Sequence, residues 1–152
     1  MAVPRPYTKT EIAIANPVIK LMSRLNTWAY RATGGRVGGK FRGGAPVMLL
    51  TTIGRKSGRR LTIPLLYLRD EGRILTVASK GGMDHHPLWY RNLVANPAVD
   101  VQIGAETNAM QAHTACDAEK SALWPLVAMY PDYATYQART ARNIPVVVLT
   151  PR

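Results

Sequence analysis

The sequence predicts an α+β fold, a small closed or partly closed antiparallel barrel with helices at its edges. Two observations carry this. Several short runs rich in apolar, β-branched and aromatic residues follow one another through short polar turns, as in Pro46–Ile53 and Leu61–Leu68, which is the pattern of strands with a buried face. A few other segments repeat apolar residues at helical spacing, before, between and after the strand-like runs. At 152 residues the chain is long enough to bury about two-thirds of its unfolded surface in one core. One domain over residues 11–152 is therefore expected, preceded by a flexible, proline-punctuated arm at residues 1–10.

From Pro17 onward, Val18, Leu21, Met22, Leu25, Trp28 and Ala29 share one helical face, with Lys20, Arg24, Thr27 and Arg31 opposite. This is an amphipathic helix with a basic back. Its apolar face is expected to dock on the domain, and peripheral contact with an anionic membrane through Pro17–Arg31 is the competing use of such a helix. Thr33–Ala45 holds six glycines among three basic residues and reads as a flexible loop able to close over a ligand. Strands are expected near 46–53, 61–69 and 73–79, with Asp70-Glu71-Gly72 as a tight turn, and connections this short predict a meander. Pro87–Ala95 reads as a short helix ended by Asn96-Pro97, and Val99–Ile103 and Thr107–Cys116 as strands. Helices from Asp117 to Met129 and from Pro131, then a last strand at Ile144–Leu149, complete the order.

Twenty Lys and Arg against nine Asp and Glu give a net charge of +11, and no acidic residue occurs between Glu11 and Asp70. A basic half of this kind attracts polyanions, so nucleic acid, anionic lipid and a multiply charged small ligand all fit the charge. The single cysteine, Cys116, excludes an internal disulfide, and with three histidines it makes no zinc spacing. A cytoplasmic protein without a structural metal is expected. The N-terminus lacks a secretory core, and no apolar run nears the about 20 residues of a membrane span. There is no Gly-x-Ser-x-Gly elbow, and Asp70 and Glu71 sit in a turn, which argues against hydrolysis.

Three groups of residues point to chemistry. Gly54-Arg55-Lys56-Ser57-Gly58-Arg59-Arg60 puts four cations, a hydroxyl and two glycines between two strands. Glycine lets backbone N–H groups turn toward a ligand while the cations neutralise a phosphate; the plainer reading is a solvated charged hairpin. Ala78-Ser79-Lys80-Gly81-Gly82 ends a strand just before Pro87-Leu88-Trp89-Tyr90-Arg91-Asn92 opens a helix, whose free N–H groups suit an anion or carbonyl and whose aromatics suit a ring. Against this, Trp89 also fits the core. Tyr130, Tyr133 and Tyr136 recur at intervals of three around a helix start, either a wall for a planar substrate or a cap on the barrel.

Together these pieces resemble the deazaflavin-dependent nitroreductases of actinobacteria, small proteins that use coenzyme F420, an 8-hydroxy-5-deazaflavin with a polyglutamyl tail. The residues that carry the resemblance are Met22–Trp28, Leu49–Gly58, Ala78–Gly82, Pro87–Leu93, Ala95–Pro97, Trp124-Pro125, and Met129–Tyr133 with Tyr136, which span nearly the whole chain. The resemblance implies a split β-barrel and hydride transfer from C5 of the reduced deazaflavin to a quinone of the menaquinone type, in some members also to nitroimidazole prodrugs. It assigns Arg55, Lys56, Ser57 and Arg60 to the coenzyme's phosphate and tail, with Thr51, Thr52, Gly54 and Gly58 beside them. It assigns Ala78, Ser79, Lys80, Gly81, Gly82, Pro87, Leu88, Trp89, Tyr90 and Asn92 to the deazaflavin and its side chain. Ser79, Tyr130, Tyr133 and Tyr136 border the acceptor, and a Tyr133 or Ser79 hydroxyl is placed to polarise its carbonyl or nitro oxygen. Such a mechanism rests on orientation and water exclusion rather than on many acid-base groups.

Two departures from the family pattern stand out: Leu66 replaces an aromatic and Arg59 adds a charge. The first bears on the acceptor pocket, and so on nitroimidazoles before quinones. Two readings compete with this enzyme. One is a basic barrel that binds nucleic acid, disfavoured because the cations gather at one glycine turn rather than in a stripe interleaved with aromatics. The other is a barrel that carries flavin mononucleotide or a haem-like ligand without turnover. The oligomeric state is open, although related split barrels dimerise.

Overall fold

The computed structural model describes residues 4–152. Its first element, α1 (Lys9–Thr33), begins inside the segment expected to be an arm, because the ends of the helix are locally satisfied. The Thr8 hydroxyl accepts from the Glu11 N–H (3.2 Å) while the Glu11 carboxylate accepts from the Thr8 N–H (2.8 Å), a reciprocal capping box. Arg5 pairs with the same carboxylate at 2.6 Å, and Gly34 closes the C-terminus in the left-handed conformation at φ 60°. Of the arm expected over 1–10, residues 1–3 lie outside the described residues.

The expectation that the apolar face of this helix docks on the domain is not met. Leu21, Met22, Leu25 and Trp28 are 60 to 73% exposed, and Ile14 and Val18 are exposed as well. Tyr30 is the one fully buried side chain of α1. Its hydroxyl donates to the Val47 carbonyl (3.0 Å) and accepts from the Gly104 N–H (2.9 Å), which rivets the end of the helix to the sheet.

The strands are β1 (Val47–Ile53), β2 (Arg60–Leu66), β3 (Leu68–Asp70), β4 (Arg73–Val77), β5 (Ala98–Ile103), β6 (Glu106–Thr114) and β7 (Val146–Pro151). They form one antiparallel sheet in the order β2-β1-β5-β6-β7-β4-β3. The first strands are thus not the expected meander: β1–β2 and β3–β4 are separate hairpins, and the chain leaves one edge and enters the other across Tyr67. The sheet curls so that these edges approach, with the Thr76 hydroxyl of β4 bonded to the Leu66 carbonyl of β2 at 2.9 Å. Pro64 is tolerated because β2 is an edge strand. Glu71 (φ 47°) and Gly72 (φ 81°) make the positive-φ turn of the β3–β4 hairpin.

Four helices flank this curled half-barrel: α1, α2 (Leu88–Ala95), α3 (Asp117–Val127) and α4 (Pro131–Arg139). Strand alternation divides the core between two faces. Met48, Leu50, Ile74, Val99, Val101, Val147 and Leu149 turn inward with Tyr67 and with Trp89 and Leu93 of α2. Leu75, Val77, Val146 and Val148 turn the other way, onto Leu123, Val127 and Tyr133 of α3 and α4. Leu66 lies against Tyr30, Val47 and Leu49 beneath α1, while its neighbour Tyr67 enters the interior.

Candidate functional site

The cationic turn is built at the end of β1. The Gly54 N–H bonds to the Arg59 carbonyl and the Gly58 N–H to the Gly54 carbonyl, both at 2.8 Å. Gly58 takes φ 67°, a conformation glycine reaches at no steric cost. A Cβ on Gly54 would lie 2.4 Å from the Ser57 hydroxyl, so a side chain at this buried position would push that hydroxyl out of its place in the turn. Arg55, Lys56, Ser57, Arg59 and Arg60 are exposed. Arg60 pairs with Asp100 at 2.5 Å. Among the described residues Arg55, Lys56 and Arg59 form no ion pair, and they remain available to an anion.

Asn92 holds this turn in place. It is 1% exposed, and its side-chain oxygen accepts the Arg55 N–H at 3.2 Å while its amide donates to the Thr52 hydroxyl at 3.4 Å. Helix α2, strand β1 and the turn therefore share one buried polar anchor. Thr51 points to the opposite face, where its hydroxyl meets that of Thr62 (2.8 Å), itself bonded by Arg31 (2.8 Å). Trp89 is 6% exposed in the interior cluster, edge-on to Tyr90 at 6.2 Å, and Leu88 is exposed.

The 78–86 loop forms the middle of the site. Lys80, Gly81 and Gly82 take φ 45°, 63° and 79°, which is strained for lysine and open to glycine. Arg142 binds the loop from beneath: it donates to the carbonyls of Met83 (3.1 Å), Ala78 (3.2 Å) and Ser79 (2.9 Å), and to His86 Nδ1 (2.9 Å). His86 in turn lies 4.9 Å from the Tyr90 ring, whose hydroxyl meets Thr114 at 2.9 Å. The Lys80 ammonium reaches His85 Nε2 at 2.6 Å, and His85 Nδ1 reaches Asp84 at 2.7 Å. Burial and then the nearby Arg142 charge lower the pKa of Lys80, and the same two causes in the same order lower that of His86.

This loop packs on α4. A Cβ on Gly82 would sit 2.6 Å from the Tyr136 carbonyl oxygen, and Arg139 donates to the Gly81 carbonyl at 3.2 Å. Tyr130 and Tyr136 flank Tyr133 at 6.0 and 6.3 Å between ring centroids, both edge-on. Tyr133 is 7% exposed; burial pushes its pKa strongly upward, and raises those of Tyr130 and Tyr136 too. The three phenols therefore stay protonated at neutral pH and keep a proton to donate to a ligand.

The structure thus joins the three sequence groups in one band: turn to α2 through Asn92, α2 to the loop through His86 and Arg142, loop to α4 through Gly82 and Arg139. Thr51 falls outside this band. The sequence reading missed Arg142 and Arg139, since neither belongs to a motif and each acts on a loop about sixty residues away. Such a band of donors, exposed cations and neutral phenols suits a ligand with an anionic end and a flat end, and among the described residues there is no His, Cys, Asp and Glu cluster able to hold a metal.

The comparisons with known proteins agree on one family. The family described as F420H(2)-dependent quinone reductase matches residues 21–151. The F420H(2)-dependent quinone reductase Rv1261c of Mycobacterium tuberculosis is 42% identical over 136 residues, which cover 85% of this chain and 89% of that protein. Among solved structures, an F420-H2 dependent reductase, FDR-A, superposes with a TM-score of 0.63 at 42% identity over 68% of this chain and 93% of its own. A second structure, described as a domain-swapped dimer, superposes with a TM-score of 0.66 at 33% identity over 93% of this chain and 99% of its own.

Proposed function

The chain belongs to the F420H(2)-dependent quinone reductase family, and from that premise we propose how its site divides the work. The protein is an oxidoreductase that uses coenzyme F420 and reduces quinones. The bound reduced coenzyme supplies a hydride from C5 of its deazaflavin. Everything else falls to side chains of this chain. Arg55, Lys56 and Ser57 hold the coenzyme's phosphate, with Arg60 at the start of its tail. Ser79 to Gly82 and the first turn of α2 border the deazaflavin. The tyrosines 130, 133 and 136 border the acceptor, keep water out and keep their protons.

The observation that carries this reading is the buried Asn92, which ties the turn with the exposed cations to the helix expected to border the ring. The donor set fits the coenzyme: unpaired cations suit a phosphate, and Gly58 and Gly81 leave room beside the backbone. The test follows the fluorescence of Trp28, Trp89 and Trp124 as oxidised coenzyme F420, flavin mononucleotide or single-stranded DNA is added. Saturable quenching by the deazaflavin alone supports the assignment, and preference for flavin or DNA overturns it. Tyr133→Phe should slow quinone reduction roughly tenfold, the worth of about one neutral hydrogen bond, with coenzyme affinity nearly unchanged. Lower affinity with unchanged turnover of the bound complex would make Tyr133 a binding residue. Nitroimidazole reduction belongs to the same proposal, as a secondary activity.

The outward apolar face of α1 belongs in this picture. Quinones of the menaquinone type are lipids, and an amphipathic helix with Leu, Met and Trp on one face and Lys and Arg at its flank suits an anionic membrane surface. We place the protein on the cytoplasmic surface of the membrane through Pro17–Arg31. A second copy is the competing cover for this face, and one structural relative is described as a domain-swapped dimer. Sedimentation with vesicles of anionic lipid, against the oligomeric state without lipid, separates the two.

A further inference from the structure

Lys80 holds a backbone conformation that side chains rarely adopt, at φ 45°, just before Gly81 and Gly82. Such strain persists only where surrounding contacts impose it, and it gathers at active sites. The turn carries the Lys80 ammonium forward along its own loop to 2.6 Å from His85 Nε2, and His85 Nδ1 lies 2.7 Å from Asp84. An ammonium can only donate. The Asp84 carboxyl, whose pKa is lowered first by its hydrogen bond from His85, is ionised and can only accept. His85 is therefore neutral, with its proton on Nδ1 toward Asp84 and the lone pair of Nε2 turned to Lys80.

This carboxylate–imidazole–ammonium chain runs from water to the site. The Asp84 side chain is 83% exposed and that of His85 46%, whereas Lys80 is partly buried in the stretch that borders the deazaflavin. The charges around the ammonium are mixed. Burial lowers its pKa most, Arg142 beneath the loop and Lys20 of α1 push the same way, and Asp84 opposes them. Arg139 of α4 is engaged elsewhere, with the Gly81 carbonyl and the Tyr7 hydroxyl. Burial moves Tyr130, Tyr133 and Tyr136 upward instead, so the fold makes the ammonium a stronger acid and the phenols weaker ones.

We propose that Lys80 is the proton donor of the reaction, and that Asp84 and His85 are the positioning pair that keeps its ammonium charged and in place. This rests on the quinone-reductase reading given above. A hydride brings both electrons and one hydrogen to a quinone, which leaves one quinone oxygen as an anion. An N–H bond of Lys80 then breaks, an O–H bond forms on that oxygen, and the neutral amine takes a proton from water once the hydroquinone has left. His85 occupies one N–H of the ammonium, and the others remain for the acceptor.

The first measurement needs no coenzyme: an NMR titration of the lysine side chains of the free protein, with the Lys80 signal identified by its loss in Lys80→Gln. Removing the acceptor of a charged donor disfavours the charged form, so Lys80 should lose its proton at lower pH in His85→Leu than in the wild type. His85→Gln, whose side-chain oxygen still accepts, should titrate close to the wild type. The second measurement is the pH profile of quinone reduction. A donor must be protonated, so kcat should fall as pH rises through the titration of Lys80. That fall should move to lower pH in His85→Leu and return in His85→Gln, with coenzyme affinity within about twofold of wild type in both. Lys80→Gln should lower kcat about a hundredfold, the worth of a placed general acid. An unmoved Lys80 titration in His85→Leu overturns the positioning pair. A titration that moves without the kcat profile, or full kcat in Lys80→Gln, overturns the donor and leaves the coenzyme reading standing. A wild type that does not bind coenzyme F420 overturns that reading and this one with it. His85 is exposed, and the melting curves of its variants should overlay that of the wild type.

Discussion

Helices α1 and α2 are both amphipathic, both lie beside β1, and are held by opposite means. The first is fixed at its ends, by the Thr8–Glu11 capping box, the glycine at its C-terminus and the buried Tyr30, while its apolar stripe faces water. The second has no side-chain cap at its N-terminus, where Pro87 precedes the first turn, and is fixed by its face, with Trp89, Asn92 and Leu93 all buried. An isolated helix of eight residues would not persist in water, so α2 exists because the core requires it. The 25-residue α1 needs far less from the domain, and its apolar stripe stands in water without unfolding it.

The sharpest way to break this comparison is to truncate one leucine on each helix. Leu93 is 2% exposed and Leu25 is 60% exposed. Leu93→Ala leaves a cavity in the interior cluster and should cost about 2–5 kcal/mol of unfolding free energy. Leu25→Ala should stay within about 0.5 kcal/mol of wild type. Urea denaturation measures both, and comparable losses would mean that the stripe of α1 is packed in solution.

Asn92 offers a smaller effect with a functional readout. Asn92→Ala strands the Thr52 hydroxyl, on a residue that is 0% exposed, and frees the Arg55 N–H, at a cost of about 1–3 kcal/mol. Coenzyme affinity should fall with it, because the turn loses the anchor that fixes its cations relative to α2. Lost stability with full affinity would show that the turn keeps its shape unaided.

The contrast between the helices also marks what periodicity can and cannot say. Hydrophobic spacing located both helices and most strands, because it depends on local sequence. It could not say what covers a face: Leu21, Leu25 and Trp28 carry the same signature as Trp89 and Leu93. The failed meander has the same root, since the pairing of β1 with β5 and of β4 with β7 joins residues far apart in sequence. At the site, the glycines and cations of the turn and the Tyr130-x-x-Tyr133-x-x-Tyr136 spacing were visible as motifs. Arg142, which gathers four contacts on the 78–86 loop, was one arginine among many until the fold brought it there. Thr51 and Thr52 are adjacent in the chain, yet alternation sends one toward Arg31 and the other toward Asn92.

The outward stripe of α1 is tested by placing a charge in it. Leu21→Glu/Leu25→Glu should leave the urea midpoint nearly unchanged, since both side chains already face water, but should abolish sedimentation with anionic vesicles. Equal pelleting of variant and wild type would remove the membrane from the account of α1. Loss of a wild-type dimer in the variant, with no vesicle binding in either, would assign the stripe to a second copy.

The smallest expected effect concerns the end of α1 that α2 lacks. Glu11 is pulled from 4.5 to about 2, first by its hydrogen bond from Arg5 and then by those from the Thr8 N–H and hydroxyl. A carboxylate with a depressed folded pKa contributes stability that is fully present above its unfolded value and is lost as pH falls through its folded value. The contribution of the cap is therefore complete above about pH 4.5 and gone near pH 2. It should appear as fraying of the first turns of α1 rather than as global unfolding, because the group is exposed and its partners are local. Far-UV circular dichroism should show less helix in Glu11→Gln than in wild type at neutral pH, with the two curves converging as acid protonates the wild-type carboxylate. A difference that stays constant down to pH 2 would mean that the charge of Glu11 does not hold the cap, and that the length of α1 is set elsewhere.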